Sequence, residues 1–469
     1  IYEPTHPKAD EWGFRQDVTD LVHELGVTAV RYPGGNFVSG YDWRDGIGPV
    51  ADRPARLDLA WRTVESNAVG TDEFLAWAAR TSLDPIMAVN LGTGTLHDAA
   101  ELVEYCNVSS GTSITDQRLG NGTAKSHDVR TWCLGNEMDG PWQIGHTTAA
   151  DYGHRAAEAG KAMRTVDPTI ELIACGSSSR EMPTFGAWED TVADLTFDVA
   201  DYLSMHAYYD GTRPRRDYLA SGHRLDRFIR DVIACADAVS ARRGSDKRLK
   251  IALDEWNVWS STASGSPAGL VRDLSPTPPR ITEDPYAPLD AVVLGDLLIS
   301  ILNHADRIRI ACLSLLVNVS APITTEPDGP AWRQPTFHPF AVTAALARGT
   351  ALRTVVQSEP LATERHGTVP ALSAAATLDE DTGRLALFMV NRSPDTTTVT
   401  IDHSAFGAVT TRSAQLLRAE PDCEPGRGSG DDQHGVLADW ERIDNRSAHA
   451  ELELPPLTWL AVHLTVESP

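Results

Sequence analysis

The chain has 469 residues, 42% of them hydrophobic and 23% charged, an ordinary globular composition in a length that suits two domains around a large core. Its 41 Lys and Arg against 65 Asp and Glu leave a formal charge of −24, which repels nucleic-acid backbones and anionic membranes and fits a neutral substrate. No apolar run reaches the roughly 18 residues of a membrane span.

The opening "IYEPTHP" reads as a loop leaving a strand. Short β-branched runs then recur, first at "VTAVRYPGGN" (27–36), "DPIMAVNLG" (84–92), "VRTWCLGNE" (129–137) and "ELIACGSSS" (171–179). They continue at "DYLSMHAYY" (201–209), "LKIALDEWN" (249–257) and "IACLSLLVNV" (310–319). Their near-continuous apolar character is what a parallel strand covered on both faces requires. Helical patterns lie between them. After Thr147, an expected N-cap, Tyr152, Ala156, Ala159, Met163 and Val166 share one helix face, and Asp167-Pro168 ends the element. Leu294, Leu298, Ile301 and Leu302 likewise face one side.

This alternation predicts βα units and a parallel sheet. Seven strands are countable and a closed (β/α)₈ TIM barrel needs eight, so the first strand is expected upstream of Ile1. An open doubly wound sheet is the rival, but no G-x-G-x-x-G follows any strand. After about residue 345 the texture changes. "RLALFMVNRSPDTTTVTIDHSAF" and "AELELPPLTWLAVHLTV" alternate, with turn residues between, as in an antiparallel β-sandwich. The expected division is therefore a barrel over 1–345 and a jelly-roll-like sandwich over 346–469. The Gly- and Asp-rich stretch 420–435 reads as a surface loop.

Six cysteines (Cys106, Cys133, Cys175, Cys235, Cys312, Cys423) lie far apart with no C-x-x-C pair. Buried free thiols in a reducing, cytoplasmic setting are the expectation, since no signal peptide is visible. The five N-x-S/T sequons are then chance.

A barrel carries its active site at the C-terminal ends of its strands. Those ends supply Arg31 and Asn36, Asn90, Asn136 and Glu137, His206, Tyr208 and Tyr209, Asp254 and Glu255, and Asn318. Glu137 and Glu255 fall on the fourth and seventh barrel strands and approach from opposite sides of the mouth. Paired carboxylates across a pocket suit glycosidic cleavage, one protonating the leaving oxygen and the other meeting the anomeric carbon. Mutual repulsion raises the pKa of one of two such groups, giving an acid and a base at the same pH. A lone strand-end Glu more often serves an ion pair, here with Arg31. Two of them, each beside tryptophans (Trp132 and Trp142; Trp256 and Trp259), weigh against that reading, because ring faces suit sugar C–H faces.

Other constellations are weaker. Gly34-Gly35 lacks the Lys and Ser/Thr of a phosphate loop. No H-x-x-x-H pair stands beside a Glu, so no metal site is expected. His206 fits a buried, satisfied histidine as readily as a site residue. No G-x-S-x-G elbow exists, and Trp12, Trp77 and Trp188 read as packing.

"RYPGGNFVSGYDWRDGIGP", "TWCLGNEMDGPWQIGH" and "ALDEWNVW", in that order, resemble the family-51 glycoside hydrolases, the α-L-arabinofuranosidases, and the likeness spans nearly the whole chain. The resemblance implies an exo-acting, retaining enzyme that removes terminal α-L-arabinofuranosyl residues, with Glu137 as acid/base and Glu255 as nucleophile. It carries substrate contacts to Arg31, Asn36, Asn136 and Tyr208 and sets Trp61 and Trp259 beside the neighbouring sugar. It implies no metal or other cofactor, an arabinofuranosyl oligosaccharide or polysaccharide as partner, and a homo-oligomer, often a hexamer. Two departures stand out. The family's first strand, with its sugar-binding Glu, would precede Ile1, and Leu315 occupies the place of the family's Gln before L-V-N-V. The alternatives are a β-xylosidase or endoglucanase on the same barrel, or a carbohydrate-binding protein with impaired turnover.

Overall fold

Each of the seven runs overlaps a strand: β1 (Ala29–Tyr32), β2 (Asp84–Val89), β3 (Thr131–Leu134), β4 (Glu171–Ala174), β5 (Tyr202–Asp210), β6 (Lys250–Trp259) and β7 (Ile308–Leu313). In the computed structural model, which describes residues 1–259, 280, 283–426, 428, 437–440, 444–445 and 449–466, they form one parallel sheet in chain order. The sheet curls until β1 and β7 approach each other, giving a nearly closed TIM-like barrel. Residues 27–31 and 310–316 face one another across a cavity of 570 Å³.

Between the strands run helices, among them α1 (Ala149–Val166), which buries Tyr152, Ala156, Ala159 and Met163 as the spacing predicts. Its N-cap is Thr148 rather than Thr147. The Thr148 hydroxyl accepts the Asp151 N–H, whereas the Thr147 N–H is tied to the Met138 carbonyl in the loop after β3.

The helix before β7, α2 (Pro288–Leu302), is buried almost all round, not on one face only. Its second side packs on the C-terminal sheets, and a helix covered on both sides loses its polar stripe. Gly295 fits directly against the Trp459 ring, where a β-carbon would lie 2.2 Å from Trp459 Cδ1. The buried Asp296 carboxylate takes two guanidinium nitrogens of Arg392, at 2.9 and 2.7 Å.

The C-terminal part holds a six-stranded antiparallel sheet, in spatial order Thr350–Leu352, Leu372–Asp379, Arg384–Asn391, Thr458–Val466, Val409–Arg418 and Leu437–Asp439. Across a core of Leu385, Leu387, Met389, Leu452 and Leu454 lies a three-stranded sheet of Thr397–Asp402, His449–Leu454 and Asp444–Asn445. The strand Arg384–Asn391 is apolar on both faces because the other set, Ala386, Phe388 and Val390, joins the barrel's core. Thr397–Asp402 and His449–Leu454 keep the alternation, the latter burying Ala450, Leu452 and Leu454. Of the loop expected over 420–435, residues 427 and 429–435 lie outside the described residues.

Candidate active site

Two local distortions aim the carboxylates. Between Ala252 and Trp256, β6 carries one extra residue against each neighbour. Ser204 and His206 pair with Ala252 and Glu255, and Ala311 and Leu313 pair with Leu253 and Trp256. This bulge breaks the in-out alternation, so the adjacent Asp254 and Glu255 both reach the barrel axis. After β3 the chain turns through Gly135 at φ +92° and Glu137 at φ +44°. A left-handed backbone at a non-glycine costs roughly 1–3 kcal/mol and persists where surrounding structure holds it. Here that turn lifts Glu137 over the mouth.

Arg31 is the hub. It donates from Nη1 to Glu255 Oε1 at 2.9 Å, from Nη2 to Asn136 Oδ1 at 2.6 Å and from Nε to Cys133 Sγ at 3.4 Å. Its Nε also lies 3.4 Å from Asp254 Oδ2. Tyr208 donates its hydroxyl to Glu255 Oε2 at 2.8 Å and sits 2.7 Å from Ser314 Oγ. Glu137 is held from its two sides, Oε1 by His206 Nδ1 at 2.9 Å and Oε2 by the Trp142 indole N–H at 2.6 Å. His206 Nδ1 lies 3.6 Å from Glu255 Oε2, and its Nε2 lies 3.5 Å from Asp254 Oδ1. An oxygen of Glu137, an oxygen of Glu255 and a ring nitrogen of His206 all fall within 4.8 Å of one another. Both glutamates are buried yet keep 8% and 7% of their surface open.

Burial works against a charge on His206. The carboxylates of Glu255 and Asp254, with hydrogen bonds to Asp254 and Glu137, outweigh it and hold the imidazole pKa well above its ordinary value. Burial would likewise raise Asp254, but the Arg31 and His206 charges and bonds from His206 and Ser204 bring it down to about 2. At Asp139 burial wins over its two bonds from Ser178 and, with the Glu137 charge nearby, lifts the carboxyl to about 6. The Glu–His–Glu donor set is compact enough for a small divalent cation. A cation there would have to displace the proton that the raised imidazole pKa favours on His206.

Of the residues singled out in the sequence, Arg31, Asn136, Glu137, His206, Tyr208 and Glu255 converge here. Asn36 joins through Asn136 Nδ2, which lies 3.5 Å from Asn36 Oδ1. Trp259, 37% exposed, stands T-shaped to Tyr208 with ring centroids 6.0 Å apart. Trp61 lies half-buried in the loop joining the ladder strands Arg56–Leu57 and Val64–Glu65. Asn90 and Asn318 organise loops instead: Asn90 bonds the Tyr41 carbonyl and Thr93, and Asn318 accepts from Thr325. Tyr209 is buried under the Arg224 guanidinium. Asp254, also among the strand-end residues, joins the site beside Arg31 and His206, and Ser314 and Gln143 are additions to it. Gln143 bonds the Ser39 hydroxyl and lies 3.5 Å from Asn136 Nδ2. Nothing local in the sequence marks Ser314 or Gln143.

Comparison with known proteins places this geometry. A family model described as the α-L-arabinofuranosidase 1 domain matches residues 21–226, and the α-L-arabinofuranosidase C-terminal domain matches 254–456. An exo-α-(1→6)-L-arabinofuranosidase of Bifidobacterium longum is 47% identical over 99% of this chain and 91% of its own length. An intracellular exo-α-(1→5)-L-arabinofuranosidase of Halalkalibacterium halodurans is 50% identical over 84% of this chain and 78% of its own. Among solved structures, a family 51 α-L-arabinofuranosidase from Bifidobacterium longum superposes with a TM-score of 0.92 at 43% identity, covering 99% of this chain and 92% of that one.

Proposed function

The chain belongs to the family-51 α-L-arabinofuranosidases, and from that premise we propose that it is an exo-acting glycoside hydrolase removing terminal, non-reducing α-L-arabinofuranosyl residues with retention of configuration. The observation that carries the reading is the pair Glu137 and Glu255, from different strands, with oxygens within 4.8 Å of each other. Retaining enzymes hold their carboxyls about 5–5.5 Å apart, whereas inverting ones leave at least roughly 6.5 Å for a water.

The surroundings divide the labour. Glu255 faces a guanidinium and a phenol, donors that suit an anion poised for attack. Glu137 lies at the rim beside a half-exposed indole, where a leaving oxygen or a water can reach it. In the first step a Glu255 oxygen bonds to the anomeric carbon, the glycosidic C–O bond breaks, and Glu137 gives its proton to the departing oxygen. In the second, water attacks that carbon, Glu137 takes the water's proton, and the Glu255 ester bond breaks. Asn136, oriented by Arg31, would hydrogen-bond a ring hydroxyl, while Asn36, Tyr208 and His206 complete the polar wall. Trp259 and Trp61 are assigned to the neighbouring sugar.

The division at residue 345, a homo-oligomer and a cytoplasmic location extend the proposal. The last draws on relatives named intracellular; among the described residues no helix is long and apolar enough to cross a membrane. The test is release of 4-nitrophenol from its α-L-arabinofuranoside, with the sugar's first anomer followed by proton NMR. The α-anomer should appear first and Glu255→Ala should abolish release; the β-anomer first would overturn the reading.

A further inference from the structure

The loop after β3 folds an aromatic ring back onto its own carboxylate. Trp142 is 52% exposed, yet its indole N–H lies 2.6 Å from Glu137 Oε2. An exposed tryptophan can send that N–H to water, so this contact needs a reason. Gly140 supplies the means. A β-carbon there would stand 2.6 Å from Trp142 Cε2 and 3.0 Å from Nε1, so only glycine lets the ring lie across the loop at this point.

We propose that Trp142 is a positioning residue, a latch whose N–H holds Glu137 in its carboxylate form and which must leave Oε2 when Glu137 acts as the acid. This rests on Glu137 being the acid/base. The indole is a donor only, so its bond favours the anion over the acid. Oε1 is occupied in the same sense by His206 Nδ1, and both oxygens of the free site therefore face N–H groups. A carboxylate so held is ready to take a proton from water in the second step. The first step asks for the opposite, a carboxyl carrying a proton toward the leaving oxygen. A sugar entering on the leaving-group side meets the exposed indole and turns it off Oε2, and that oxygen takes a proton from solvent before the first step. The other titratable groups around Glu137 are His206 and Tyr208 on β5, Glu255 and Asp254 on β6, Arg31 on β1 and Asp139 on the same loop. None of them moves with the ring, so the latch can be varied separately.

The test is the pH profile of kcat/KM for an arabinobiose, whose leaving group needs a proton, in Trp142→Phe and Gly140→Ala. Phe keeps the ring and loses the donor; Ala keeps the indole and pushes it away. Both should move the alkaline limb up by about one pH unit, the equivalent of one hydrogen bond to a charged group, and leave the acid limb in place. The double variant should move no further than either single. Profiles that coincide with the wild type, or shifts that add in the double variant, overturn the latch. Glu137→Gln separates this from the parent reading. It should lose arabinobiose hydrolysis while still being glycosylated by an aryl substrate with a good leaving group; if it hydrolyses arabinobiose normally, the acid/base assignment itself fails. With Glu137→Gln inactive and Trp142→Phe unshifted, the latch alone is wrong.

Discussion

Arg31 and Glu255, 224 residues apart in the chain, meet in an ion pair of 2.9 Å at the mouth of the barrel. The same guanidinium reaches Asn136 and lies beside Asp254, so one cation sets the geometry of the floor of the site. Replacing it by Met removes the charge and keeps much of the volume. Two buried carboxylates then lose a partner, and unfolding in urea should show a loss of roughly 3–5 kcal/mol. kcat/KM should fall at least about a hundredfold. Arg31→Lys keeps the charge without the fork and should fall between wild type and Met.

That hub was legible only in part. β1 and β6 declared themselves because a strand covered on both faces must be apolar throughout, and the polar residues at their ends then stood out. Arg31 was visible both as an ordinary ion-pair partner and as a ligand for sugar, and it is placed to serve as both. Asp254 was named at its strand end, but not that it shares the site with Glu255, because a regular strand would point the two apart and a bulge leaves no signature in composition. His206 was undecided for a different reason: a lone histidine's role depends on the carboxylates around it, and those come from two other strand ends. Gln143 and Trp142 sit on a turn whose path depends on Gly135, Glu137 and Gly140. The one-sided reading of α2 missed its second face because the sheet covering it lies some 90–160 residues later in the chain.

His206 gives a pH-dependent prediction. Its folded pKa lies well above the ordinary value, so its contribution to stability is complete below the unfolded value of about 6.5 and is lost as pH rises through the folded one. The melting temperature of the wild type should exceed that of His206→Gln most below about pH 6.5. The gap should close steadily toward alkaline pH. A gap that widens with pH would show that the ring is buried in its neutral form.

Asp139 runs the other way. Its carboxyl is lifted from 3.8 to about 6, mainly by burial, and one oxygen has no hydrogen-bond partner. The protein therefore becomes less stable as pH climbs from about 4 through 6, by about 3 kcal/mol. Asp139→Asn can keep accepting from Ser178 without the buried charge. It should unfold at higher temperature than wild type at pH 7 and match or trail it near pH 4.

Leu315 lines the cavity beside Glu255 and Ser314 and is 40% exposed, an apolar side chain where the family resemblance expects an amide. Leu315→Gln offers a hydrogen bond to a sugar hydroxyl that the leucine cannot make. KM for an aryl α-L-arabinofuranoside should fall about five- to tenfold, matching a bond of roughly 1–1.5 kcal/mol. Unchanged KM would place the sugar away from this side of the mouth.

The most direct measurement concerns which carboxylate does what. Glu137→Ala and Glu255→Ala are each given an aryl α-L-arabinofuranoside with azide, and the anomer of the arabinofuranosyl azide is read by NMR. If Glu255 forms the ester and Glu137 serves water, azide added to Glu137→Ala attacks the glycosyl-enzyme and gives the α-azide. In Glu255→Ala azide takes the missing nucleophile's place and gives the β-azide. The reverse pairing of variant and anomer, or the same anomer from both, would contradict the two-step mechanism assigned to this pair.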